Sequence, residues 1–85
     1  MSVPGYWMNE TSGALRPAVA AYLNGDPMTL ADVAAMRAYL RQWISSPDWI
    51  GPAIGPLRDA IDGIVDRETI RAWLEAADDA GCDPL

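Results

Sequence analysis

Four stretches of this chain repeat their apolar residues every three or four positions. Leu15, Val19, Tyr22 and Leu23 form the first set, and Val33, Met36, Leu40, Trp43 and Ile44 the second. Leu57, Ile61, Ile64 and Val65 form the third, and Ile70, Trp73, Leu74 and Ala77 the fourth. That period puts each set on one face of an α-helix. No segment alternates at period two for long enough to be a strand. The pattern predicts an all-α fold with helices over 14–23, 30–45, 57–65 and 67–80.

The punctuation between the stretches supports those limits. Thr11 or Ser12 can cap the first helix, and Pro17 sits in its first turn, where a missing N–H costs little. Asn24-Gly25 supplies a residue able to take positive φ at its end. Thr29 with Asp32 three residues on has the form of a capping box for the second helix, which Ser46-Pro47 stops. Pro56 opens the third helix, and Gly63 weakens it by about 1 kcal/mol relative to Ala, marking a close contact or a bend. Asp66 caps the fourth, and Gly81 closes it. The short links predict two antiparallel helical hairpins. Residues 46–56 join them as a Pro/Gly-rich loop, whose Trp49, Ile50 and Ile54 are expected to fold over the bundle end. Residues 1–11 read as an N-terminal arm whose Tyr6, Trp7 and Met8 tie back onto the core or anchor a partner.

Eighty-five residues, 51% of them hydrophobic, suit one small domain spanning 1–85 and exclude wholesale disorder. No run approaches 18 apolar residues, so no membrane span is expected. The N-terminus lacks a basic region followed by an apolar run, which argues against a signal peptide. The single cysteine, Cys82, near a C-terminus expected to fray, fits a reducing compartment, and a cytoplasmic location is expected.

The chain has no histidine, and all six of its basic residues are arginines. Imidazole metal sites, histidine base catalysis and lysine Schiff bases are therefore excluded. Asp59 and Asp62 fall on a face expected to be exposed, which is no setting for paired acid–base chemistry. Cys82 has no histidine to activate it. The acids around Gly63 lack the alternating ligand positions of a calcium loop, and Gly51 to Pro56 lack the lysine of a phosphate cradle. The expectation is a protein that is not an enzyme and needs no cofactor or metal.

Charge is the most informative feature. Residues 1–58 carry four acids and four arginines, whereas residues 59–85 carry eight acids and two arginines. The formal net charge of −6 therefore belongs to the last third of the chain. Asp59, Asp62 and Asp66 stand at i, i+3 and i+7 and are expected to line the third helix and its end. Asp78 and Asp79 sit in the last turn of the fourth helix, where the macrodipole disfavours negative charge, and Glu75 with Asp79 is a like-charge i, i+4 pair. The bland account is a solvated face that keeps a small protein soluble. The functional account offers these carboxylates to a basic groove on a partner, in place of the phosphates of a nucleic acid.

Two other surfaces compete with the acidic one. Arg16, Arg37 and Arg41 could form a small basic patch, but three arginines in so acidic a chain release few counterions, which argues against direct nucleic-acid binding. Trp7 and Trp49 come from irregular segments and are candidate partner contacts, including contacts to a second copy, whereas Trp43 and Trp73 fall on core stripes.

The strings from Leu15 to Leu23, Arg37 to Ile44, Trp73 to Ala77 and Gly81 to Leu85 resemble small uncharacterised helical proteins of bacterial and prophage-like genomes. The resemblance implies a bacterial or mobile-element setting and carries no activity with it. The sequence thus points to a protein-binding domain, with an acidic, nucleic-acid-mimicking inhibitor of the anti-CRISPR type as its sharpest form. The alternative is a structural or adaptor module that self-associates through apolar and tryptophan surfaces.

Overall fold

A computed structural model describes residues 13–85, and the arm with Trp7 and the proposed caps Thr11 and Ser12 lies outside them. The fold is all-α. Its elements are α1 (Leu15–Asn24), α2 (Leu30–Ile44), α3 (Ile54–Ala60), a 3-10 turn (Ile61–Gly63) and α4 (Arg67–Asp79). The buried residues form one cluster drawn from all four helices, with Met36, Leu40, Ile44, Ile61, Ile64 and Ile70 at its centre.

Local chemistry explains most boundaries. Thr29 accepts from the Asp32 N–H at 3.0 Å while Asp32 accepts from the Thr29 N–H at 3.0 Å, closing the expected capping box of α2. Asp66 caps α4 in the same way, with Thr69 as its partner. Gly25 and Gly81 both take positive φ, 75° and 83°. Each sits in a Schellman ending: Asp26 N–H reaches the Ala21 carbonyl at 2.9 Å, and Cys82 N–H reaches Ala77 at 2.8 Å. Ala14 occupies the N-cap of α1 and has no side-chain oxygen with which to close it.

The third helix departs from expectation. It starts at Ile54, three residues before the predicted position, and α-helical geometry ends at Ala60. Pro56 occupies its third position rather than its first, which is equally free of an N–H requirement. Ile54, Leu57 and Ile61 then make the buried stripe. The chain tightens into the 3-10 turn and becomes extended at Ile64, with φ −77° and ψ 108°. A Cβ on Gly63 would meet nothing within 4 Å, so this glycine marks the bend and not a close contact. Val65, predicted on the core stripe, is 58% exposed as a result.

Two further corrections concern the ends of the bundle. Trp49 is half-buried against Trp43, ring centroids 4.5 Å apart, and its indole N–H donates to the Trp43 carbonyl at 3.2 Å. Ile50, expected to be covered with it, is 87% exposed. The C-terminal tail does not fray. Cys82 and Pro84 are buried, and the Tyr39 hydroxyl donates to the Pro84 carbonyl at 2.6 Å. Tyr39, absent from the expected α2 stripe, is thereby a buried strut.

Candidate functional site

Arginine placement decides what the surface looks like. Three of the six arginines serve backbone carbonyls. Arg58 donates to the carbonyls of Ile44 at 2.9 Å and Ser46 at 3.3 Å, closing the end of α2. Arg67 donates to Tyr22 at 2.7 Å, to Ala21 at 2.9 Å and to Asp26, closing the end of α1. Arg37 donates to the Ile64 carbonyl at 2.8 Å, where the chain leaves the 3-10 turn. Cations at helix C-termini satisfy orphan carbonyls and offset the macrodipole. Arg41 pairs with Asp62 at 2.6 Å, and Arg71 pairs with Glu68 one turn away. The Arg37 and Arg41 half of the basic patch is thus engaged within the fold, and Arg16 is engaged too.

The acids divide accordingly. Asp62 sits in the 3-10 turn, exposed but paired. Asp66 is the α4 cap, and the Thr69 backbone N–H, then the Thr69 hydroxyl, hold its carboxyl below the ordinary aspartate value. Asp59 lies on α3. Asp59 and Asp62 stay three apart along α3 and the 3-10 turn that continues it, but the extended Ile64 separates Asp66 from them, so the strip read from the spacing does not continue to Asp66. Asp59, Glu75, Asp78 and Asp79 are exposed and make no ion pair among the described residues.

Between α3 and α4 runs an apolar groove of about 590 Å³ that the sequence reading missed. Ala53, Pro56, Ala60 and Gly63 form one wall, and Thr69, Ala72 and Ala76 the other, with Leu57 and Trp73 at the bottom. Trp73 is fixed there by its indole N–H, which donates to the Leu57 carbonyl at 2.8 Å. Small residues spaced three and four apart carry little weight in a search for hydrophobic stripes, so the walls read as neutral helix surface. The spacing was nonetheless visible in Ala53, Pro56 and Ala60, and again in Thr69, Ala72 and Ala76.

Helix spacing puts Asp59, Glu75 and Asp79 beside the walls of this groove, outside its lining. Glu75 stands three residues from Ala72, and Asp79 three from Ala76, so both project along the outer edge of the α4 wall with Glu68. Asp59 stands three residues from Pro56 and edges the α3 wall. Asp78 lies on the other flank of α4, four residues from Leu74. Of the candidate tryptophans, Trp49 serves the bundle end as described, and Trp7 lies outside the described residues. No three of Asp, Glu and Cys among the described residues converge into a group able to hold a metal ion. No helix among them is long and apolar enough to cross a membrane. Compared with protein-family models, with curated proteins and with solved structures, the chain finds no match.

Proposed function

We propose that this chain is a non-enzymatic protein-binding domain that presents the acidic face of α3 and α4 to a basic surface on a partner. The observation that carries this reading is the unequal use of charge. Arginines are drawn into helix ends and ion pairs, while Asp59, Asp78 and Asp79 stay exposed and unpaired, and Glu75, also exposed, has only the Arg71 charge one turn before it. Glu75 and Asp79 form a like-charge i, i+4 pair, and Asp79 stands in the last turn of α4, where the macrodipole also opposes it. A surface arranged for stability alone would carry a cation there.

A nucleic-acid-handling protein is the partner class that such a surface addresses, and an inhibitor from a phage or mobile element, as in the anti-CRISPR type, is its setting. Size and charge support that setting. The support no longer includes phosphate-like spacing along one helix, because Asp62 and Asp66 have other duties.

The test compares the full chain with a variant carrying Asp59→Asn, Glu75→Gln, Asp78→Asn and Asp79→Asn. Both are used to capture partners from source-cell lysate at about 50 mM and about 500 mM salt, which brackets the screening range of surface charges. Any captured protein is then purified and titrated. A basic protein that the native chain binds at least about tenfold more tightly than the variant, and releases at high salt, supports the proposal. Equal affinity of the two chains for that protein overturns it. Recovery of the chain alone turns the reading to self-association through apolar surfaces.

A further inference from the structure

We propose that the groove between α3 and α4 seats one amphipathic basic helix of a partner protein. The inference rests on the acidic-surface reading and names the occupant. Ala53, Pro56, Ala60, Ala72 and Ala76 are all exposed, so the walls are open to solvent and carry no long side chain to close them. Walls of small residues over a floor of Leu57 and Trp73 let a helix approach closely with its own apolar face. The α4 wall runs from Thr69 to Ala76 and the facing α3 is seven residues long, so the groove is about 10 Å long and seats about two turns of a partner helix. Lys or Arg on the two flanks of that helix would meet Asp59 on one rim and Glu75 and Asp79 on the other.

Charge selects this occupant over the alternatives. A second copy would bring its own Asp59, Glu75 and Asp79 against the same three residues, with no free arginine rim to answer them. The chain's own residues 1–12 are apolar at Tyr6, Trp7 and Met8, but contain no Lys or Arg and one acid, Glu10. They match the floor and leave the rim unanswered. A nucleic acid would be repelled by the rim and would find no hydrogen-bonding wall.

The experiment titrates the full-length chain with a fluorescent helix-forming peptide of about 14 residues, Ala and Leu on one face and Lys on both flanks, long enough to span the groove. A scrambled peptide of identical composition serves as the control, and amide resonances report the location. The expected result is that the ordered peptide binds at least about tenfold more tightly than the scrambled one. It should also shift the amides of Ala60, Ala72 and Ala76. Two plugs on opposite walls, Ala60→Phe and Ala72→Phe, should each weaken it by a similar factor. Both positions are solvent-exposed, so either variant keeps the fold.

Equal binding of ordered and scrambled peptides overturns the groove and leaves the acidic surface standing. Binding unaffected by either plug does the same. Groove shifts that follow protein dilution, or that follow Trp7→Ala without peptide, assign the groove to a second copy or to the chain's own arm and overturn the proposal. Failure of both peptides to bind at low salt removes the acidic-surface reading along with it.

Discussion

The Arg67 guanidinium donates to the Tyr22 carbonyl at 2.7 Å and lies 5.3 Å from the centre of the Tyr22 ring. These residues are 45 positions apart, and the contact ties the first turn of α4 to the last turn of α1. The same guanidinium reaches Ala21 and Asp26, so one side chain closes the end of α1, stacks on its aromatic residue and joins α1 to α4. Arg67→Ala should therefore cost about 2 kcal/mol, since charged groups hydrogen-bonded to carbonyls contribute more than neutral ones. Arg67→Lys should recover less than half of that, because an ammonium cannot bridge three carbonyls while stacking on a ring. Urea unfolding of the three proteins measures this. Lysine performing as well as arginine would show that charge at the α1 terminus, and not the fork, is what matters.

The Asp66 cap predicts a specific pH dependence. Thr69 lowers the folded-state pKa of Asp66 from its ordinary value of 3.8, through its backbone N–H first and its hydroxyl second. A carboxyl depressed in the folded state stabilises fully above the unfolded value, and that contribution is lost as pH falls through the folded value. Asn at this position keeps an acceptor but cannot titrate. The stability difference between the native chain and Asp66→Asn should therefore be constant from neutral pH down to about pH 5 and shrink below about pH 4. Thermal melts across that range read it directly, and a gap independent of pH would mean that the cap carries no ionic component.

Tyr39 and Cys82 make the C-terminal tail testable without any ligand. Cys82 is 1% exposed, and burial pushes its thiol pKa up, so at neutral pH it is a protonated thiol sealed under the tail. Tyr39→Phe removes the hydroxyl donated to Pro84 and should cost about 1–2 kcal/mol by leaving that carbonyl unpaired. Local opening of the tail should then expose the thiol, raising the rate of its reaction with an aromatic disulfide reagent by about tenfold. An unchanged rate would place the hold on the tail in the packing of Cys82 and Leu85 instead.

Helix identity was legible wherever a strong local signal coincided with the apolar period. Thr29 with Asp32, Asp66, Gly25 and Gly81 each announced a boundary within one residue of where it lies. The third helix was misplaced because proline is tolerated anywhere in a first turn, and Pro56 alone could not say which position it holds. Tyr39 and Cys82 were misjudged because their burial depends on the tail returning over α2, a contact set by residues 45 positions apart. The site shows the same division. The acidity of the last third was plain in sequence. Which acids remain available was not, since that depends on Arg41 meeting Asp62 and on the break after Ala60. The groove depends on two helices lying side by side, and neither wall is remarkable alone.

The last turn of α4 joins stability to binding with opposite signs. Glu75 and Asp79 face each other one turn apart, at the end of the helix where the dipole is negative, and no basic residue lies in that turn. Glu75→Gln with Asp79→Asn removes the like-charge repulsion and the dipole penalty at Asp79, each worth a few tenths to about 1 kcal/mol at a surface, and gives up only the attraction of Glu75 to Arg71. The double variant should therefore unfold at a higher urea concentration than the native chain, with the same slope. If the acids serve a partner, the same variant should bind the basic helical peptide at least about tenfold more weakly and show a shallower salt dependence. Stabilisation with undiminished peptide binding would identify these carboxylates as a solubilising face only. Loss of both stability and binding would mean that they support the C-terminal turn, in a way that the helix-end electrostatics do not account for.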